Sequence, residues 1–171
     1  MLLPVLLVTI FLQAQTSNAD CACCTETYNQ FDFWIGDWVV FDTTGKEVGK
    51  NNIVKIQDNC VMQESWVSKT MTGTSYNYYN FVDSTWNQLW VDNQGSSLVL
   101  KGQLIDGKMV LKSELLKGQR VDLYYNKITW EKNADASVTQ TWEILDPGWK
   151  LAGFGIQRNI QKSGRGLMAI Q

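Results

Sequence analysis

Between Phe31 and Ile160 the chain is a succession of short β-type runs separated by turn signals, with no sustained 3.6-residue apolar period free of glycine or β-branched residues. That pattern confines the fold to the all-β class. Ten strands are predicted: Trp38 to Asp42, Val48 to Ile56, Val61 to Ser68, Thr74 to Val82, Trp86 to Val91, Ser97 to Leu104, Lys108 to Leu115, Arg120 to Glu131, Ser137 to Ile144 and Lys150 to Gln161. The links carry turn chemistry, and Asp106-Gly107 is the strongest hairpin signal because a type I′ turn needs positive φ at both central positions. Pro4 and Pro147 both fall outside the predicted strands, as the need for every ladder N–H requires. Strands joined by such short links pair in sequence, and closing the sheet removes its two free edges. We therefore expect a single antiparallel up-and-down β-barrel of about ten strands. The aromatic run Phe31 to Trp38 is expected to lie outside the sheet as a short plug or lid.

Residues 1–19 carry no charged side chain, and Leu2 to Leu12 form an apolar run too short to span a bilayer but suited to a signal peptide. Cleavage before Asp20, after Ser17-Asn18-Ala19, is expected, with Ala14 an earlier alternative. The mature chain is then secreted or periplasmic, with a lipid anchor on Cys21 as a lesser alternative, and has no transmembrane helix. It divides into a cysteine-bearing segment (20–30), the barrel (31–160) and a C-terminal tail (161–171).

All four cysteines, Cys21, Cys23, Cys24 and Cys60, survive that cut, and an oxidising compartment favours disulfides among them. A bridge from the Cys21–Cys24 run to Cys60 is expected, and a bond between adjacent Cys23 and Cys24 is disfavoured by strain. A four-thiolate metal site is the alternative, although the spacing lacks the two Cys-x-x-Cys arms of structural zinc sites.

Function is read from the two faces of the strands. Trp86, Gln88, Trp90 and Asp92 share one face of their run, and Tyr76, Tyr78, Asn80 and Val82 share one face of theirs, but period alone does not say which face is inward. Tyr76, Tyr78, Gln88 and Trp90, with Trp66, Glu64, Trp142 and Arg158, are the candidate ligand-binding residues. The competing assignment makes the eight tryptophans plain core, since each buries a large area. Glu64, Asp122, Glu131, Glu143 and Arg158 are charged residues inside predicted strands and are expected to face solvent. Should Glu64 or Glu143 turn inward, Arg158 is the natural counter-ion.

The absence of histidine removes Ser-His-Asp and Cys-His catalysis, histidine zinc ligation and His-ligated haem. No glycine-rich phosphate loop is present, so no cofactor is expected. A net charge of −2, without lysine or arginine clusters among the aromatics, argues against nucleic acid. An enzyme would need two facing carboxylates, and no catalytic residue is assigned.

The blocks Phe31 to Trp38 (FDFWIGDW), Trp86 to Gly95 (WNQLWVDNQG), Gly107 to Leu111 and Ile128 to Glu143 resemble a family of uncharacterised secreted bacterial proteins with calycin-like domains of unknown function. The resemblance implies a lipocalin- or nitrobindin-like barrel and, by analogy, a small apolar or amphipathic ligand in its lumen. Two roles are thus expected: a binding or carrier barrel with an aromatic-lined lumen, or alternatively a filled barrel serving as a cell-envelope protein-interaction module.

Overall fold

The computed structural model describes residues 21–118, 122–153 and 155–163. Two single-turn 3₁₀ helices, Thr27–Asn29 and Asp32–Trp34, precede eleven strands. These are β1 (Gly36–Phe41), β2 (Glu47–Ile56), β3 (Val61–Val67), β4 (Thr72–Asn80), β5 (Thr85–Asp92), β6 (Ser97–Ile105), β7 (Lys108–Lys112), β8 (Leu116–Lys117), β9 (Leu123–Lys132), β10 (Val138–Leu145) and β11 (Ile156–Lys162). Ten of them form a closed antiparallel barrel in sequence order, β10 pairing with both β9 and β11, and β11 returning to β1. The two-residue β8 is an extra strand beside the start of β9. Closure leaves every barrel strand with a neighbour on each side, so the expected all-β barrel is what the chain forms.

The departures from expectation have local causes. The sheet starts at Gly36, two residues earlier than expected, so the end of the aromatic run belongs to β1 and only its first part stands outside the ladder. The last strand begins at Ile156 rather than Lys150, because Asp146 heads a turn that Lys150 N–H closes onto its carboxylate, with Trp149 at φ 63°. The expected strand start at Arg120 lies outside the described residues, as does the segment 1–19, and β9 runs from Leu123. Asp106 and Gly107 have φ of 50° and 77°, the double positive φ that the Asp-Gly dipeptide favours.

The barrel has two different ends. One carries the β2–β3, β4–β5, β6–β7 and β9–β10 hairpins, and the helical turns cap it. Phe31 and Trp34 are fully buried there, Phe31 packing edge-on against Trp86 and Trp130 and stacking on Trp34. Trp38, Met62, Leu100, Met109, Leu111 and Ile160 belong to the same core. Lys55, only 12% exposed, ties the plug to β2 by reaching Tyr28 O, Asn29 Oδ1 and the Asp32 carboxylate.

Two disulfides complete this end: Cys23–Cys60 joins the N-terminal segment to the β2–β3 hairpin, and Cys21–Cys24 closes a short loop. The expected bridge to Cys60 is therefore formed, from Cys23, and no cysteine among the described residues is left to build a thiolate metal site. Among the described residues no helix is long and apolar enough to cross a membrane.

Candidate functional site

At the opposite end the lumen is not filled. A cavity of about 250 Å³ lies between Trp66, Trp90 and Trp142, with Met71, Asp92 and Leu98 toward the mouth and Glu64, Gln88, Ile128, Gln140 and Arg158 completing its lining. An apolar cavity of about 150 Å³ is enough for benzene, so this volume takes a molecule of about two fused rings.

The walls are shaped by two repeats of one local device. Trp66 on β3 pairs with Asn51, and its indole crosses diagonally to Gly49. Trp90 on β5 pairs with Ser75, and its indole crosses to Gly73. A side chain at either glycine would occupy the space of the indole, so glycine lets both rings lie flat against the wall. Trp142 is fixed differently, its Nε1–H donating to Asn126 Oδ1 at 2.8 Å.

The floor is polar and internally bonded. Gln88 donates to Asn77 Oδ1 (2.7 Å), Asn77 to Ser75 Oγ (2.9 Å), and Ser75 to Glu64 Oε2 (2.6 Å). From the other side Asn51 donates to Glu64 Oε1 at 2.6 Å. The chain spans four adjacent strands, β2 to β5, and all five residues are buried. Burial pushes the Glu64 carboxyl above its ordinary value, and the hydrogen bonds from Ser75 and Asn51 offset only part of that effect.

Arg158 stands apart from this network. Its guanidinium lies over the Trp66 ring at 5.0 Å from the centroid, a cation–π contact. Burial lowers its pKa and the Glu64 charge opposes that shift. The two nevertheless form no ion pair within 4.0 Å, and among the described residues the Arg158 side chain has no hydrogen-bond partner. It is also reached from an outer cleft beside the Phe41–Gly45 turn.

The mouth is ordered by its turns. Asp42 Oδ1 accepts from Thr44 and Lys46 N–H, Asp92 Oδ1 from Gln94 and Ser96 N–H, and Asp146 Oδ1 from Lys150 N–H. Each aspartate ends a strand at the open rim and fixes the loop that follows, so the rim is held without a ligand.

Six of the eight sequence-derived candidates, Glu64, Trp66, Gln88, Trp90, Trp142 and Arg158, line this one cavity. Tyr76 and Tyr78 do not: they stand on the outer face, 43% and 41% exposed. Their misassignment has a geometric cause. The β4–β5 hairpin pairs Tyr79 with Trp86 and Asn77 with Gln88, so the inward face of β4 is Ser75, Asn77 and Tyr79. The expected outward position also fails for Glu64 and Arg158, which face the lumen, while Asp122 is exposed and Glu131 and Glu143 pair with Lys108 and Lys127 at the surface. Asn51, Ser75, Asn77, Gln140, Gly49 and Gly73 were not singled out from the sequence, because a polar or glycine residue in a strand carries no mark of its face.

No protein-family model matches the chain, and no curated protein matches it either.

Proposed function

We propose that the mature chain is an exported binding or carrier protein for a small amphipathic molecule, held in the open half of the barrel. The observation that carries this reading is the half-filled lumen: a packed aromatic core closes one end, while three indoles and a bonded polar floor surround a preformed cavity at the other. An apolar wall with a few placed polar groups is the usual make-up of a small-molecule site. Export rests on the apolar leader and on cysteines that are all paired in disulfides, chemistry suited to an oxidising compartment. The barrel itself is in keeping with the calycin-like resemblance.

The test is native mass spectrometry of the protein isolated from an exported fraction. A reproducible extra mass that denaturation removes is the expected result. A bare chain that also fails to take up hydrophobic probes in solution counts against the carrier reading.

A second role, as a cell-envelope interaction module, is favoured by one observation. Val54, Tyr76, Leu89 and Val99 lie in a cross-strand row on the outer face of β2, β4, β5 and β6, all exposed. Pull-down from an envelope fraction that is lost when Leu89 and Val99 are replaced by serine would support that role.

A further inference from the structure

The polar groups of the cavity divide into two sets with different needs, and this division bears on the chemistry of the ligand. Building on the carrier reading, we infer that the cargo is a planar aromatic monoanion, its acidic group seated between Arg158 and Gln140 and its ring system among Trp66, Trp90 and Trp142.

The first set is bonded chiefly to itself. Both oxygens of Glu64 are engaged by Asn51 and Ser75, Ser75 accepts from Asn77, and the Asn77 carbonyl accepts from Gln88. Asp92 is likewise committed to the backbone of its turn. Of the buried polar atoms in this set only Asn51 Oδ1 lacks a partner, and Asn51 lies outside the cavity lining.

The second set is open. Arg158 and Gln140 are directly opposed across the β10–β11 ladder, both line the cavity, and neither side chain hydrogen-bonds to any described residue. A guanidinium offers five N–H donors in a planar fork that matches a carboxylate, and the neighbouring amide adds a further donor. A partly buried cation without an acceptor is costly, and an anionic ligand supplies what is missing. The nearest carboxylate does not do so: Glu64 stays beyond ion-pair distance, and burial favours its neutral form.

The apolar part follows from the walls. Trp66 and Trp90 lie flat over Gly49 and Gly73, presenting faces rather than edges along the cavity side, and about 250 Å³ leaves room for a flat body of two rings. A long alkyl chain is poorly served, because the packed core around Phe31, Trp34 and Trp130 closes the lumen below.

The probes are 2-naphthoate and its uncharged isostere 2-naphthamide, titrated into the oxidised protein by calorimetry and by tryptophan fluorescence. We expect the acid to bind about tenfold or more tighter than the amide. Arg158→Met should abolish that preference while leaving amide affinity within about threefold, and the retained amide binding reports an intact cavity. If Arg158→Met loses both probes, Arg158→Gln, which keeps a polar but uncharged group, is read the same way. Equal affinity for acid and amide in the parent protein, or a preference that survives both substitutions, overturns the anion assignment and leaves the carrier reading in place. Failure of both probes to bind overturns the two together.

Discussion

The Trp90 indole lies across Gly73 on the neighbouring strand so closely that a Cβ at that glycine would collide with Cζ2 and Cη2 of the ring. Trp66 covers Gly49 in the same diagonal sense, with Cη2 at 2.6 Å from the position a Cβ would take. Gly73→Ala should drive the indole into the lumen, lowering affinity for naphthyl probes more than tenfold and stability by about 1–3 kcal/mol through overpacking. Gly153→Ala is the control, since its Cβ would meet Ile144 only at an ordinary 3.6 Å. Urea denaturation and probe titration of the two variants check this, and equal behaviour would remove the role assigned to the glycines.

Glu64 should leave a signature in the pH dependence of stability. Its folded-state pKa is raised above the ordinary 4.5 by burial, so the folded protein holds the proton more tightly than the unfolded chain. The stability this provides is fully present below the unfolded value and is lost as pH rises through the folded one. Glu64→Gln cannot titrate, so its stability relative to the parent should improve as pH is raised from 4.5 through the folded-state value and level off beyond it. The exposed Asp42, Asp83 and Asp135, whose pKa values are lowered by hydrogen bonds, act toward lower pH and are common to both proteins. Denaturation at a series of pH values reads the difference, and a constant offset would contradict a titrating Glu64.

The two disulfides should differ in worth. Cys23–Cys60 spans 37 residues of chain and Cys21–Cys24 spans three. In the chain-entropy description the longer loop contributes about 4 kcal/mol and the shorter about 2. Replacing Cys23 and Cys60 by serine should therefore lower the urea midpoint more than replacing Cys21 and Cys24.

Lys55 holds the plug through a half-buried carboxylate and two further acceptors, one of them a backbone carbonyl. Lys55→Met should cost about 1–3 kcal/mol, since it strands those acceptors. Hydrogen exchange should rise first in 27–34, with the β4–β5 ladder unchanged.

Much of the architecture was legible because strand and turn signals are local. The Asp-Gly dipeptide at 106–107, the proline confined to a turn at 147 and the alternation in Trp86 to Asp92 each act over a few residues. The inward face of β4 was not legible from alternation alone, and Tyr76 and Tyr78 show why. Large aromatics look like lining, yet the register across Asn80–Thr85 puts odd positions of β4 against even positions of β5. Turn length would have given that parity. Glu64 and Arg158 were read outward on the ordinary cost of burying charge; for Glu64 that cost is offset by a network drawn from four strands, beyond the reach of any local pattern, while Arg158 lies over the Trp66 ring outside that network.

The bond between Cys23 and Cys60 turns the barrel from a tube into a cup. Because the packed aromatic base is also covalently fastened, the proposed cargo would enter and leave at the open end, which Met71, Asp92 and Leu98 line. A second molecule cannot enter from behind to expel the first. On the proposed carrier role, exchange would then proceed by departure followed by capture, with a release rate that does not rise with competitor concentration.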